Sequence, residues 1–177
     1  EVRGRLDGLT PRLVLELARG VLDRFADGAW FVDLAPITEP DLVPAAVADV
    51  FRLPVQPGST VEEALTTYLE TKRLLLLLDN CEHVLAASAA LIEGLLRAAP
   101  DIRAVVTSRE GLGVEGERVV AVRSLQFPPS TLVDNEAIAA FEAVRLFVDR
   151  ASLVTTFALT PLNARAIAEI VRRLDGI

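Results

Sequence analysis

The chain has 177 residues, of which 51% are hydrophobic and 24% charged, and its net charge is −7 at neutral pH. That length and composition suit a globular domain with a sizeable core and exclude a disordered or low-complexity chain. The acidic balance argues against a basic face gripping nucleic acid on this segment, because counterion release needs clustered lysine and arginine.

A single cysteine, Cys81, excludes an internal disulfide and fits a reducing compartment. No signal peptide or membrane-spanning run is visible, so the expected location is cytoplasmic, with no membrane partner. The sequence contains no methionine and stops at Asp175-Gly176-Ile177 straight after a helical pattern, so it reads as a fragment of something longer.

In chain order, Leu13, Val14, Leu17, Ala18, Val21, Leu22 and Phe25 recur at helical spacing, with Thr10 placed as N-cap and Pro11 at the first helical position. Gly28 ends that element, and Ala29 to Leu34 reads as a strand. Leu42, Val43, Ala46, Val47, Val50 and Phe51 give a second helical face, with Thr38 and Asp41 spaced as a capping box. Thr60 and Glu63 form another capping pair, opening a helix through Leu69.

Five consecutive leucines, Leu74 to Leu78, then end in Asp79. A short, wholly apolar run predicts a strand buried on both faces, as in a parallel sheet covered by helices. Val84, Leu85, Ser88, Leu91, Ile92, Leu95 and Leu96 mark the next helix, and Ile102 to Thr107 the next strand. A glycine-bearing turn from Gly111 to Gly116 leads to a short predicted strand, Arg118 to Val122. The Pro128-Pro129 segment is the candidate boundary. Beyond it lie only helical stripes, one through Phe141, Val144, Phe147, Val148 and Ala151, the other through Ala164, Ile167, Val171 and Leu174. The expected organisation is an α/β domain over residues 1–124 and the start of a helical subdomain over 125–177. Alternating helices and strands predict a parallel sheet.

Asp79 and Thr107-Ser108-Arg109 end successive predicted strands, so both reach the carboxyl edge, where open α/β sheets bind ligands. A carboxylate suits Mg²⁺, and an arginine suits a terminal phosphate, which it grips with a fork of donors. Blander readings stand beside these. Asp79 could cap the following helix, Glu82 could serve the helix dipole rather than act as a general base, and Arg109 could be a surface arginine before a turn. Cys81 reads as a buried small hydrophobe, and His83, the sole histidine, as a helix-start residue.

Leu74 to Val84, Val106-Thr-Ser-Arg-Glu110 and Arg173-Leu-Asp-Gly176, in this order, resemble the NB-ARC or STAND-type P-loop ATPases of bacterial LuxR-type and SARP-type transcriptional regulators. Trp30 to Ala35 and Ala143 to Val148 are similar too, so the resemblance covers nearly the whole chain. It implies a P-loop NTPase-like sheet flanked by helices, followed by an all-helical segment. It also implies Asp79 as the Mg²⁺-side Walker B acid and Arg109 as the sensor of a γ-phosphate. ATP or ADP with Mg²⁺ would be the cofactors, ADP holding a closed state and exchange to ATP opening it. The implied partners are the other domains of the same regulator and further copies in an active oligomer. Asn80, where many related ATPases carry a second acid, implies slow or absent hydrolysis, and Glu82 is the remaining candidate base.

The front end departs from that family. A phosphate loop needs glycines, a lysine for the β/γ-phosphates and a Ser/Thr for Mg²⁺. Here Gly4 to Pro11 falls on the loop, with Leu9, Thr10 and Pro11 in place of the last glycine, the lysine and the Ser/Thr. Of Gly4, Gly8 and Thr10, only Gly4 matches a motif glycine, and Asp7 adds negative charge. The family's first strand is also missing; the resemblance places it between the strands ending in Asp79 and Thr107. Either the chain starts in the wrong place, or it is a degenerate copy that holds nucleotide weakly or not at all. The expectation is a nucleotide-controlled switch with at most weak ATPase activity. The alternative is a non-catalytic protein-interaction module that keeps the fold. A small metabolic kinase fits less well, because no cluster of His, Asp or Lys suggests a second substrate.

Overall fold

The computed structural model describes residues 2–3, 10–132 and 134–174. Strands β1 (Val2–Arg3), β2 (Ala29–Asp33), β3 (Leu75–Asp79) and β4 (Arg103–Val106) form one sheet in the order β1-β2-β3-β4. Every pairing is parallel, and the register sets Asp33 beside Asp79 and Leu78 beside Val106. The expected α/β fold class holds. β3 and β4 are direct neighbours, with no strand between them, and the two residues of β1 lie at the far edge beside β2. Parallel pairing brings the carboxyl ends of β3 and β4 together without help from a third strand.

The helices of this part are α1 (Thr10–Val21), α2 (Val43–Phe51), α3 (Val61–Leu69) and α4 (Leu85–Ala98). All five residues of β3 are buried, and their side chains alternate between two cores. Leu76 and Leu78 pack with Val32, Leu34 and residues of α2, α3 and α4. Leu75 and Leu77 pack with Ala29, Phe31 and the α1 residues Val14, Leu15 and Ala18. A helix layer on each face is why the leucine run carries no polar alternation. Trp30, Phe51 and Tyr68 close one end of the first core, with ring centroids 4.7 and 5.3 Å apart along the series.

Thr60 caps α3 as expected: its hydroxyl accepts from the Glu63 N–H at 3.1 Å, and Glu63 accepts from the Thr60 N–H at 2.9 Å. Thr60→Ala is expected to cost about 0.5–2 kcal/mol of stability, read from the urea midpoint. The Thr38–Asp41 box does not form. A 3₁₀ turn at Pro40–Leu42 precedes α2, and neither it nor α2 has a side-chain cap. The face of α1 is also turned from the expected stripe: Val14, Leu15 and Ala18 are buried, whereas Leu13 and Leu17 are exposed. Residues 118–122 form no strand; Val119, Val120 and Val122 all face solvent.

The chain divides into two compact units, Glu1–Val119 and Val120–Ile177. The second contains α5 (Asn135–Ala139), α6 (Glu142–Val154) and α7 (Ala164–Arg173). Its core is Ile138, Ala143, Val144, Ala164, Ile167, Ala168 and Val171, with Phe147 edge-on to Phe157 at 5.9 Å. The short helix α5 has no counterpart among the sequence expectations; Asp134 caps it by accepting from the Glu136 N–H at 3.0 Å.

Candidate functional site

The β3 strand delivers Asp79 to the carboxyl edge of the sheet, fully buried. Directly after it the backbone turns through Asn80, which takes a left-handed conformation at φ 61°. Asparagine is among the few non-glycine residues that visit this region readily. Thr107, the first residue after β4, holds the turn. Its hydroxyl donates to Asp79 Oδ1 and accepts from the Asn80 N–H at 3.0 Å. Backbone bonds add to the clasp, from Thr107 N–H to Leu78 O at 2.9 Å and from Cys81 N–H to Thr107 O at 3.0 Å.

Asp79 Oδ2 is buried and has no hydrogen-bond partner among the described residues. Burial holds this carboxyl above its ordinary range; the Thr107 hydrogen bond opposes the shift, and the nearby charges of Asp33 and Glu82 add to it. Asp79 does not cap the next helix, because α4 begins at Leu85 with Val84 at its cap position and no side-chain cap bond.

Cys81 is buried, as the sequence suggests. Loss of solvation is the main cause that pushes its thiol up from 9.0 to about 12. The thiolate is the reactive form, so at pH 8 alkylation of the folded chain is expected to run about a thousandfold slower than that of the unfolded chain. Iodoacetamide labelling followed by mass spectrometry measures this; rapid labelling of the folded chain would contradict the burial.

Glu82 and Arg109 lie together at an open cleft of ≈ 290 Å³ that His83, Leu85 and Glu110 also line. Arg109 Nε stands 3.7 Å from Glu82 Oε1, and the arginine side chain is 87% exposed. A pair this open contributes roughly 0–1 kcal/mol and leaves the guanidinium free to leave it. His83 anchors the turn before α4, with Nε2 at 3.0 Å from Leu34 O and 2.8 Å from Ile37 O. Both partners are carbonyls, so Nε2 carries the proton.

The structure thus brings Glu82 to Arg109 and Asp79 to Thr107, while Asp79 does not line the cleft. Thr10 is the first residue of α1. Gly4 and Gly8 lie outside the described residues. Sequence reasoning named Thr107 only as a strand end; the signal for its role was a hydroxyl residue ending the strand after the one that ends in a buried acid. Among the described residues no group of three or more His, Cys, Asp or Glu could hold a metal ion. Asp33 lies beside Asp79 in the sheet register and the charge of Glu82 is near, so the edge carries scattered carboxylates, of which Asp79 has one oxygen, Oδ2, without a hydrogen-bond partner among the described residues.

Over 167 residues, 94% of this chain, the sequence is 43% identical to a Mycobacterium tuberculosis protein provisionally named as an HTH-type transcriptional regulator; a Mycobacterium bovis protein of the same description matches equally. The chain is homologous to one segment of these longer proteins. It spans 17% of their length. An uncharacterized M. tuberculosis protein is 38% identical over 167 residues, and the chain spans 39% of it. No family model matches the chain, and no solved structure matches it. No helix among the described residues is long and apolar enough to cross a membrane.

Proposed function

We propose that this chain is the core of a nucleotide-responsive switch within a longer bacterial transcriptional regulator of the NB-ARC or STAND type. The observation that carries the reading is Asp79: a buried carboxylate at the carboxyl end of a central parallel strand, with one oxygen held by Thr107 and the other without a partner among the described residues. The match to a segment of proteins named as regulators supports the wider context.

In this reading Asp79 holds the metal-side waters, and Arg109 leaves Glu82 to grip the terminal phosphate of ATP. When bound, Mg²⁺ would supply charge neutralisation for the phosphates. Thr10, where the family has lysine, offers no charge to them, so nucleotide binding is weak and hydrolysis is slight or absent. Glu82, exposed and paired with Arg109, is the candidate base for whatever hydrolysis occurs. Partners are the other domains of the regulator and further copies in an active oligomer, with DNA contacted by other domains, in the cytoplasm.

Thermal unfolding titrated with ADP or ATP, with Mg²⁺ and with EDTA, tests this. A ligand that binds only the folded state stabilises it by about 1.4 kcal/mol at ten times Kd, or roughly 3–6 °C for a chain of this size. The expected result is a Mg²⁺-dependent rise confined to millimolar nucleotide. Micromolar binding would contradict the weakened loop. No shift at any concentration would favour an interaction module, which the exposed Leu13 and Leu17 on α1 also suit.

A further inference from the structure

Thr107 makes more contacts at the carboxyl edge than its position after β4 requires. A threonine hydroxyl has one proton and two lone pairs. The Asn80 N–H occupies a lone pair at 3.0 Å, and the proton goes to Asp79 Oδ1. The hydroxyl therefore has a fixed direction. It joins the acid that ends β3 to the segment that carries Arg109 two residues further on. It also fixes the inequality of the two carboxylate oxygens, since Oδ1 is engaged and Oδ2 has no partner among the described residues.

We infer that Thr107 is the positioning residue of this site: by clasping Asp79 Oδ1 and the Asn80 N–H it leaves the buried Oδ2 as the one unengaged oxygen, the atom a divalent cation would engage, and holds the β3 exit turn in its left-handed form. The ligand half of this statement rests on the nucleotide reading above; the clasp half does not. Thr107 touches neither phosphate nor metal. It acts through Asp79, as outer-shell partners orient a ligating carboxylate. Glu82 and Arg109 line the cleft, and neither bonds to Thr107.

The test compares the 177-residue chain with Thr107→Ser, which keeps the hydroxyl, and Thr107→Val, which keeps the shape and removes it. Two measurements are made on each: amide hydrogen exchange at Asn80 without ligand, and thermal stabilisation by ADP with Mg²⁺. The serine variant is expected to match the parent in both. The valine variant is expected to lose protection at Asn80 and to bind Mg-ADP about 10–100-fold more weakly, the usual cost of removing an outer-shell partner. A cooperative urea transition of the valine variant is the control for folding. Wild-type exchange at Asn80 in the valine variant would overturn the clasp. Undiminished Mg-ADP binding in that variant, or failure of serine to restore it, would overturn the positioning role. If the parent itself gives no response to Mg-ADP, the nucleotide reading and the presentation of Oδ2 to a cation fall together, and the exchange measurement alone decides the clasp.

Discussion

Leu77→Ala is expected to lower the stability of the α/β unit by about 2–5 kcal/mol, the range for emptying a fully buried leucine site. Leu77 is completely buried in the middle of β3, against Val14, Leu15 and Ala18 of α1 and Phe31 of β2. Phe31 sits on the hydrogen-bonded sheet and the other three on α1, so neither layer collapses freely into the space. A domain holds roughly 5–15 kcal/mol in total, so the loss is a large share of the whole. Thermal unfolding should fall by roughly 4–20 °C. Leu153→Ala, at a position 70% exposed, serves as the control and should stay within about 0.5 kcal/mol of the parent. A Leu77→Ala loss below about 1 kcal/mol would mean that β3 is not the two-faced centre of the sheet.

Asp79→Asn is expected to flatten the pH dependence of stability and to abolish binding. Burial raises the folded-state pKa of Asp79 above its unfolded value of 3.8, so the folded chain holds this proton more tightly than the unfolded chain does. The stability linked to the proton is complete below that unfolded value and is lost as pH rises through the folded one. Ionising the carboxylate therefore costs stability in the folded chain, and one of its oxygens has no partner among the described residues. Asparagine still accepts from Thr107 and carries no charge, so the pH-linked part of this cost is absent from the ligand-free variant. Its stability should also change less than the parent's between pH 4 and neutrality. The same change removes the charge that would hold a cation, so stabilisation by Mg-ADP should vanish. Urea unfolding across pH, with and without Mg-ADP, reads both effects. A variant whose stability changes with pH as steeply as the parent's would show that Asp79 is not the group responsible.

Much of the sheet was legible because burial on both faces leaves a plain mark: Leu74 to Leu78 tolerates no polar residue, and Asp79 marks the end of the buried run. The Thr60–Glu63 pair was legible because a capping box depends on neighbours only three residues apart. Thr38 and Asp41 have the same spacing but fall where Pro40 opens a 3₁₀ turn, so the helix starts beyond their reach. Val119, Val120 and Val122 carry strand propensity, but propensity yields to context when no neighbouring strand pairs with the segment. The face of α1 was misjudged by part of a turn because Leu13, Leu15 and Leu17 are equally apolar, and only packing against Phe31 and Leu77 separates them. The candidate site was legible in its charged members. Thr107 was not, since a hydroxyl shows its role only when its partners across the strands are in place.

The measurement that bears most directly on the central claim is a Mg-ADP titration of the isotopically labelled chain followed by amide NMR. The account predicts shifts that grow into the millimolar range, centred on Asn80, Cys81, Thr107, Ser108 and Arg109, and abolished by Asp79→Asn. Shifts confined to other elements, or the same shifts in the asparagine variant, would contradict it.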